Sequence, residues 1–153
     1  MEQFQKFQNH ARVWLYQTDR PLNDVEVAMV NEKLAVFVKE WAAHGTKLVG
    51  DAHVLNPCFV AFVVDENYAS ASGCSIDSSV KFLKALGTDL NIDFFSRMKV
   101  CLQLETIQQV SIHELNSYAP ETLIYDPLVN NLGELRTNWL RPLKESSLAR
   151  LVS

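Results

Sequence analysis

Cys74 is the residue of this chain whose neighbours best suit it for chemistry. It lies in the segment Ser70-Ala71-Ser72-Gly73-Cys74-Ser75, at the predicted start of a helix. The first turn of a helix presents unpaired backbone N–H groups and a partial positive charge, and both favour a thiolate over a thiol. We therefore interpret Cys74 as a candidate nucleophile of a thiol-dependent enzyme, or as the reactive thiol of a redox sensor.

The same amide groups also suit an anionic ligand such as a phosphate or a carboxylate. Three nearby hydroxyls would add donors to this site, so its predicted ligand-binding residues are Ser72, Gly73, Ser75 and Ser78. A structural interpretation stays open, in which Ser72 or Ser75 only caps the helix and Cys74 fills a small gap. The carboxylates of Asp65, Glu66 and Asp77 favour this alternative, because negative charge raises the pKa of a thiol and repels anions.

A cysteine nucleophile also needs a general base, and the chain has four histidines. His44 lies at the end of the first predicted helix, and His53 alternates with Asp51 on a predicted strand, so these two are the candidate catalytic partners of Cys74. His10 precedes the first strand, and His113 belongs to the polar face of a later one. A phosphatase motif of the Cys-x5-Arg type is excluded, because Val80 occupies the arginine position.

Asp65 and Glu66 follow an apolar strand, as the carboxylates of a Walker B motif do. In such a site the aspartate holds magnesium and the glutamate activates water, which makes both candidate ligand-binding residues for nucleotide hydrolysis. The required partner is a phosphate-binding loop of the form G-x-x-x-x-G-K-[ST]. Gly45 and Gly50 have its spacing, but Asp51-Ala52 replaces the lysine and the hydroxyl. Nucleotide hydrolysis is therefore the weakest of the interpretations.

Paired metal ligands do not occur in the sequence. It contains no Cys-x-x-Cys or His-x3-His spacing, which structural zinc sites usually show. We therefore predict no metal site and no cofactor.

Three segments resemble a family of short bacterial proteins. They are Val13-Trp14-Leu15-Tyr16-Gln17, Val64-Asp65-Glu66 and Ser72-Gly73-Cys74-Ser75-Ile76-Asp77-Ser78-Ser79-Val80. The resemblance spans most of the chain, including residues 125–139. Members of this family often carry the label "ABC transporter ATPase" and have no established activity. The resemblance therefore implies no catalytic residue, and the chain lacks the phosphate-binding loop that such a label would require.

Composition restricts the partners and the compartment. The formal net charge of -4 argues against nucleic-acid binding, which needs a basic surface. The longest apolar run, Cys58 to Val64, is far shorter than the ~20 residues of a membrane-spanning helix. The N-terminus has no apolar stretch typical of a signal peptide. Cys58 and Cys101 lie in apolar strand-like runs and are predicted to be buried thiols without a disulfide, so we expect a cytoplasmic protein.

The pattern of apolar residues predicts strand, helix, strand, strand, helix, strand, strand. The strands are expected at 12–17, 47–55, 58–64, 98–104 and 109–115, with the last two forming a hairpin. Asn23 and Glu26 form a capping box before the first helix, whose apolar stripe ends at Trp41 and whose C′ residue is Gly45. Ile76, Val80, Leu83 and Leu90 define the inner stripe of the second helix, with fraying near Gly87.

This order predicts an α+β fold with a ferredoxin-like βαββαβ core and an extra edge strand. A three-layer α/β sheet is the alternative, because the order of connections does not fix the order of strands. All 153 residues are expected to form one domain, with a core at about 11–115 and a C-terminal extension at about 116–153. In the extension a helix is predicted to begin at Asp126-Pro127, and we expect it to pack on the core.

The predicted function is that of a ligand- or partner-binding module. Arg12, Trp14 and Tyr16 share one face of the first strand, and an uncovered face of a ferredoxin-like sheet would suit a second copy of the chain. We therefore expect a homodimer or a complex with a small anionic ligand at Gly73–Ser75. The enzymatic alternatives are thiol chemistry at Cys74 and nucleotide hydrolysis at Asp65 and Glu66.

Overall fold

The first half of the chain forms a three-stranded antiparallel sheet with two long helices. The computed structural model describes residues 2–43 and 45–152. The elements up to residue 90 are β1 (Arg12–Gln17), α1 (Asp24–Glu40), β2 (Ala42–Ala43), β3 (Thr46–Lys47), β4 (Gly50–Leu55), β5 (Phe59–Val64) and α2 (Gly73–Leu90). The sheet has the order β1-β5-β4, and β2 pairs with β3 in a small separate hairpin.

The second half adds a four-stranded antiparallel sheet of order β7-β6-β8-β9. Its elements are β6 (Lys99–Gln103), β7 (Ile107–Ser111), β8 (Leu123–Tyr125), α3 (Leu132–Thr137) and β9 (Leu140–Pro142). Short 3-10 helices lie at Glu2–Phe4, Ile112–Ser117, Leu143–Glu145 and Ala149–Leu151. The mixture of helices and antiparallel sheets confirms the α+β class, and the predicted β6–β7 hairpin is present.

Strand β5 is the centre of the first sheet, and all six of its residues are buried. Its side chains alternate between two apolar clusters. Val60, Phe62 and Val64 pack on the side of α1 and α2. Phe59, Ala61 and Val63 pack on the other side, against the N-terminal segment and α3. The prediction that this strand is central and covered on both faces is confirmed.

The ferredoxin-like expectation is met for three strands and not for the fourth. β1, β5 and β4 have the order of a split βαβ unit, but β6 does not join their sheet. Other segments cover the free edge of β1 instead: Asn130 accepts a hydrogen bond from the Val13 amide at 3.0 Å, and Gln17 accepts one from the Ser96 amide at 3.0 Å. β6 pairs with β7 and β8, where Leu102 is buried in a third apolar cluster.

The predicted open face of β1 is covered within the chain. The Trp14 ring lies edge-on to Trp41 with centroids 6.2 Å apart, and Tyr16 contacts Phe62 in the same way at 5.7 Å. The Tyr16 hydroxyl also lies 3.3 Å from the Ser79 hydroxyl on α2. The argument for a homodimer through this face therefore fails, because the chain's own helices occupy it.

Helix α1 begins at the predicted capping box. The Asn23 side chain accepts the Glu26 amide at 2.8 Å, and the Glu26 carboxylate accepts the Asn23 amide at 3.0 Å. Arg20 pairs with the same carboxylate at 2.8 Å, and these contacts lower the pKa of Glu26 to about 2. The helix ends at Glu40, earlier than predicted. Gly45 has the expected left-handed backbone, with φ +79°, but lies between β2 and β3.

Helix α2 places serines where apolar side chains were expected. Ser75 and Ser79 are buried, whereas Ile76 and Val80 are only half-buried. Ser75 is held by its capping partner Ser72, and Ser79 donates a hydrogen bond to the Ile76 carbonyl. Buried hydroxyls are tolerated here because each has a partner. Gly87 is also buried, and the helix continues past it to Leu90 without the expected fraying.

The C-terminal segment packs on the first sheet but is less helical than predicted. Asp126 does not start a helix; it is buried and accepts hydrogen bonds from Ser147 and from the Leu128 amide. Helix α3 begins only after Asn131, which caps it by accepting the Glu134 amide at 2.8 Å. No helix within the described ranges combines the length and apolar character needed to cross a membrane.

Replacement of Gly87 by alanine tests the packing at the end of α2. A Cβ atom at Gly87 would meet the backbone oxygen of Ile92, so Gly87→Ala should lower the free energy of unfolding by about 1–3 kcal/mol. At Gly73 a Cβ atom meets nothing within 4 Å, so Gly73→Ala is a matched control that should be neutral or slightly stabilising. Chemical denaturation measures both. Equal midpoints for the two variants would contradict this packing.

Candidate functional site

An apolar groove of about 1020 Å³ lies between α1 and α2. Its lining residues are Met29, Glu32, Lys33, Val36, Phe37, Glu40, Trp41, Ala42, Cys74, Ser78 and Phe82. Trp41 is buried, and Phe37 and Phe82 are half-buried. Met29 and Val36 are exposed on α1, Val36 to 63% of its surface. The groove thus joins the aromatic part of the core to an apolar stripe open to solvent.

Aromatic packing fixes the shape of this groove. The Phe37 and Phe82 rings stack across the two helices with centroids 4.8 Å apart, and Phe37 lies 5.7 Å from Trp41. The Trp41 indole N–H donates a buried hydrogen bond of 2.8 Å to the Ser75 carbonyl, which ties the end of α1 to the first turn of α2. The groove walls are therefore held by the core, and binding would not require them to be assembled.

Polar groups deep in the groove are already paired. Besides the Trp41 indole, the Ser78 hydroxyl donates to the Ser75 carbonyl at 2.7 Å. The charged side chains of Glu32, Lys33 and Glu40 belong to residues that are exposed to water. Such an arrangement offers an apolar surface with charge only at its margin, and it selects a ligand by shape and burial more than by hydrogen bonds.

Cys74 lies at the second position of α2, as the sequence predicted, and its exposed side chain lines the groove. The hydroxyls expected to bind an anion are used within the helix start. Ser72 accepts the Ser75 amide at 3.2 Å, and Ser75 accepts the Ser72 amide at 2.7 Å. Glu66 accepts the Ala71 amide at 2.9 Å, so a carboxylate stands close to this helix start. These contacts favour capping over anion binding.

The described histidines lie away from Cys74. His53 contacts Asp51 at 3.1 Å and the edge of Phe4, on the sheet face opposite to α2. His10 lies 2.9 Å from the Asn67 amide group, and His113 is exposed in a 3-10 helix instead of the predicted strand. His44 lies outside the described residues. Among residues 2–43 and 45–152, no histidine lines the groove that contains Cys74.

Asp65 and Glu66 organise the loop between β5 and α2. Asp65 accepts the Asn67 amide at 3.0 Å, and Glu66 lies 3.8 Å from Arg12 in addition to its bond with Ala71. Both carboxylates therefore have structural partners. In the part of the chain that the structure describes, no group of three or more potential metal ligands is found.

The sequence interpretation missed the outer stripe of α1. Only the inner stripe was identified, whereas Met29 and Val36 lie on the solvent side and form one wall of the groove. The signal was present as apolar residues outside the inner stripe, with Val25, also exposed, continuing the series. A helix with apolar residues on two faces indicates one face for the core and a second face for a ligand or partner.

Comparison with known proteins adds no relative. No protein-family model, curated protein or solved structure gives a significant match to this chain. The functional argument therefore rests on the geometry of the groove.

Alkylation of the folded protein tests the placement of the three cysteines. Iodoacetamide should modify Cys74, which is exposed, and leave Cys58 and Cys101 unmodified, because both are fully buried. Intact-mass measurement counts the labels, and denatured protein should take up three. The variant Cys74→Ser should take up none while folded. Native labelling of Cys58 or Cys101, or no native labelling of Cys74, would contradict this arrangement.

Proposed function

We propose that this chain is a non-catalytic binding protein that holds an apolar small molecule in the groove between α1 and α2. The groove itself carries this proposal. Small-molecule sites are typically clefts of ~300–1,000 Å³ lined by hydrophobic and aromatic side chains. At about 1020 Å³, with Phe37, Trp41 and Phe82 along its inner side, the groove has this size and character.

Exposure of the outer stripe supports binding over a purely structural role. Val36 leaves 63% of its surface in water and Met29 37%, next to aromatic rings that are themselves only partly covered. Burial of apolar surface stabilises a complex by about 25 cal/mol per Å² before the costs of association. A ligand in the groove would gain this term from both α1 and the aromatic rings.

Charge at the margin narrows the class of ligand. Glu32 and Glu40 stand against one lysine, Lys33, so the margin carries an excess of negative charge. An anionic head group would be repelled there, which distinguishes this proposal from the anion site expected at Gly73–Ser75. The ligand class we infer is therefore an elongated apolar molecule with a neutral or cationic end.

A thiol-dependent activity at Cys74 is the second candidate. One observation favours it: the exposed thiol lines the same groove, so a bound molecule would lie beside it. A base is missing among the described lining residues. The dimer and the nucleotide hydrolysis that were expected have no comparable support, because the β1 face is covered and both Asp65 and Glu66 hold the loop.

Binding of a neutral apolar dye tests the proposed function. N-phenyl-1-naphthylamine should bind at one site and gain fluorescence. Val36→Lys, which places a charge on the groove wall, should weaken its affinity by about tenfold or more. Val25→Lys is the matched control, because Val25 is an equally exposed valine of α1 outside the lining. Its affinity should stay within about twofold of the wild type.

Protection of Cys74 gives a second readout of the same complex. Saturating dye should slow alkylation of Cys74 in the wild type and in Val25→Lys, but not in Val36→Lys. Absence of dye binding, or equal affinities for the two lysine variants, would overturn the proposal. Thermal unfolding of both variants shows whether each is folded.

A further inference from the structure

Cys58 and Cys101 form a buried thiol pair on the side of the first sheet away from the groove. Cys58 directly precedes β5, Cys101 is the central residue of β6, and both are fully buried in the same apolar cluster. The two thiols hydrogen-bond to each other. Pairing of two nucleophiles from separate sheets distinguishes them from an isolated buried cysteine, which is usually inert.

Polar contacts hold this pair in place. The Asn56 side-chain amide donates to the Cys101 sulfur at 3.5 Å, from a turn whose left-handed backbone, φ +47°, aims it there. The Cys58 carbonyl accepts hydrogen bonds from the Thr18 amide at 2.8 Å and from its hydroxyl at 3.1 Å. Both cysteines are thus fixed by neighbours that come from different parts of the chain.

The two thiols differ in acidity. Hydrogen bonds from the Cys58 thiol and from Asn56 lower the pKa of Cys101, although burial opposes them. The pKa of Cys58 is raised, because its proton is held by Cys101 and because burial disfavours its thiolate. A thiolate, not a thiol, is the nucleophile in thiol oxidation, so Cys101 is the member of the pair that reacts first.

An unpaired acceptor lies close to the pair. Gln109 is directly opposite Cys101 in the β6–β7 register, which puts the two side chains on one face of the sheet. The Gln109 amide donates to the Thr18 carbonyl at 2.7 Å, whereas its buried oxygen has no hydrogen-bond partner within the described residues. A buried acceptor without a partner is costly, and a small hydroxylic molecule such as a hydroperoxide would satisfy it.

We propose that Cys58 and Cys101 are a dithiol that hydroperoxides oxidise to an intramolecular disulfide. The Cys101 thiolate attacks one oxygen of the hydroperoxide, the O–O bond breaks, and the released oxyanion takes the proton of Cys101; the product is a sulfenic acid and, for hydrogen peroxide, water. Cys58 then attacks the Cys101 sulfur. The S–S bond forms, the S–O bond breaks, and the hydroxyl leaves as a second water with the Cys58 proton. Two thiols lose two electrons in total, and hydrogen peroxide gains them.

Such a disulfide would join the start of β5 to the centre of β6 and so connect the two sheets covalently. Linking distant parts of the chain restricts the unfolded state, so the oxidised protein should unfold at a higher temperature than the reduced one. The pair lies on the opposite face of β5 from the groove, so this inference does not depend on the proposed function.

Peptide mapping after peroxide treatment tests this proposal. No lysine or arginine lies between Lys47 and Lys81, so trypsin leaves Cys58 and Cys74 on one peptide. The experiment therefore uses the folded full-length variant Cys74→Ser, treated with hydrogen peroxide and then alkylated in denaturant. The expected product is a cross-link between the peptides of Cys58 and Cys101 that dithiothreitol removes.

Single replacements in the Cys74→Ser background test the order of the steps. Cys58→Ser should accumulate a sulfenic acid at Cys101, which dimedone traps. Cys101→Ser should give several-fold less dimedone adduct at Cys58. If either variant does not fold, the cross-link in the Cys74→Ser variant decides alone. Full alkylation of both cysteines after peroxide, or formation of the cross-link only in protein unfolded beforehand, would overturn the proposal.

Discussion

Burial of β5 on both faces is the constraint on which the rest of this structure depends. A strand with six buried apolar residues is stable only when both of its faces are covered. Helices α1 and α2 cover one face, and the N-terminal segment and α3 cover the other. The chain therefore needs its C-terminal part to complete the fold, and Trp139 packs at 5.2 Å on Phe59 for this reason.

The same division separates the two features that we regard as functional. The groove lies on the helical side, where Trp41 and Phe37 continue the packing of Phe62 outward to solvent. The thiol pair lies on the other side, where β5 approaches the second sheet. Binding in the groove and oxidation of the pair are thus two properties of one central strand. Each is accessible to experiment without the other.

Much of the fold follows from local patterns, but pairing between distant segments does not. Period-two and helical patterns identified β1, β5, α1 and the β6–β7 hairpin, because apolar spacing records which face of an element is buried. The position of β6 could not be predicted, since it depends on short segments near residues 96 and 130 that cover the edge of β1. The start of α2 at Cys74 was predictable from its cap. The groove was not, because two helices must meet to form it.

Chemical-shift mapping tests the central claim, that the groove is the binding site, most directly. Uniformly ¹⁵N-labelled protein would be titrated with N-phenyl-1-naphthylamine and followed by amide resonances. The account predicts shifts concentrated at residues 29–42 of α1 and β2 and at residues 74–82 of α2, where the lining lies. Shifts centred on the second sheet or the C-terminal segment, or no shifts at saturating dye, would contradict it.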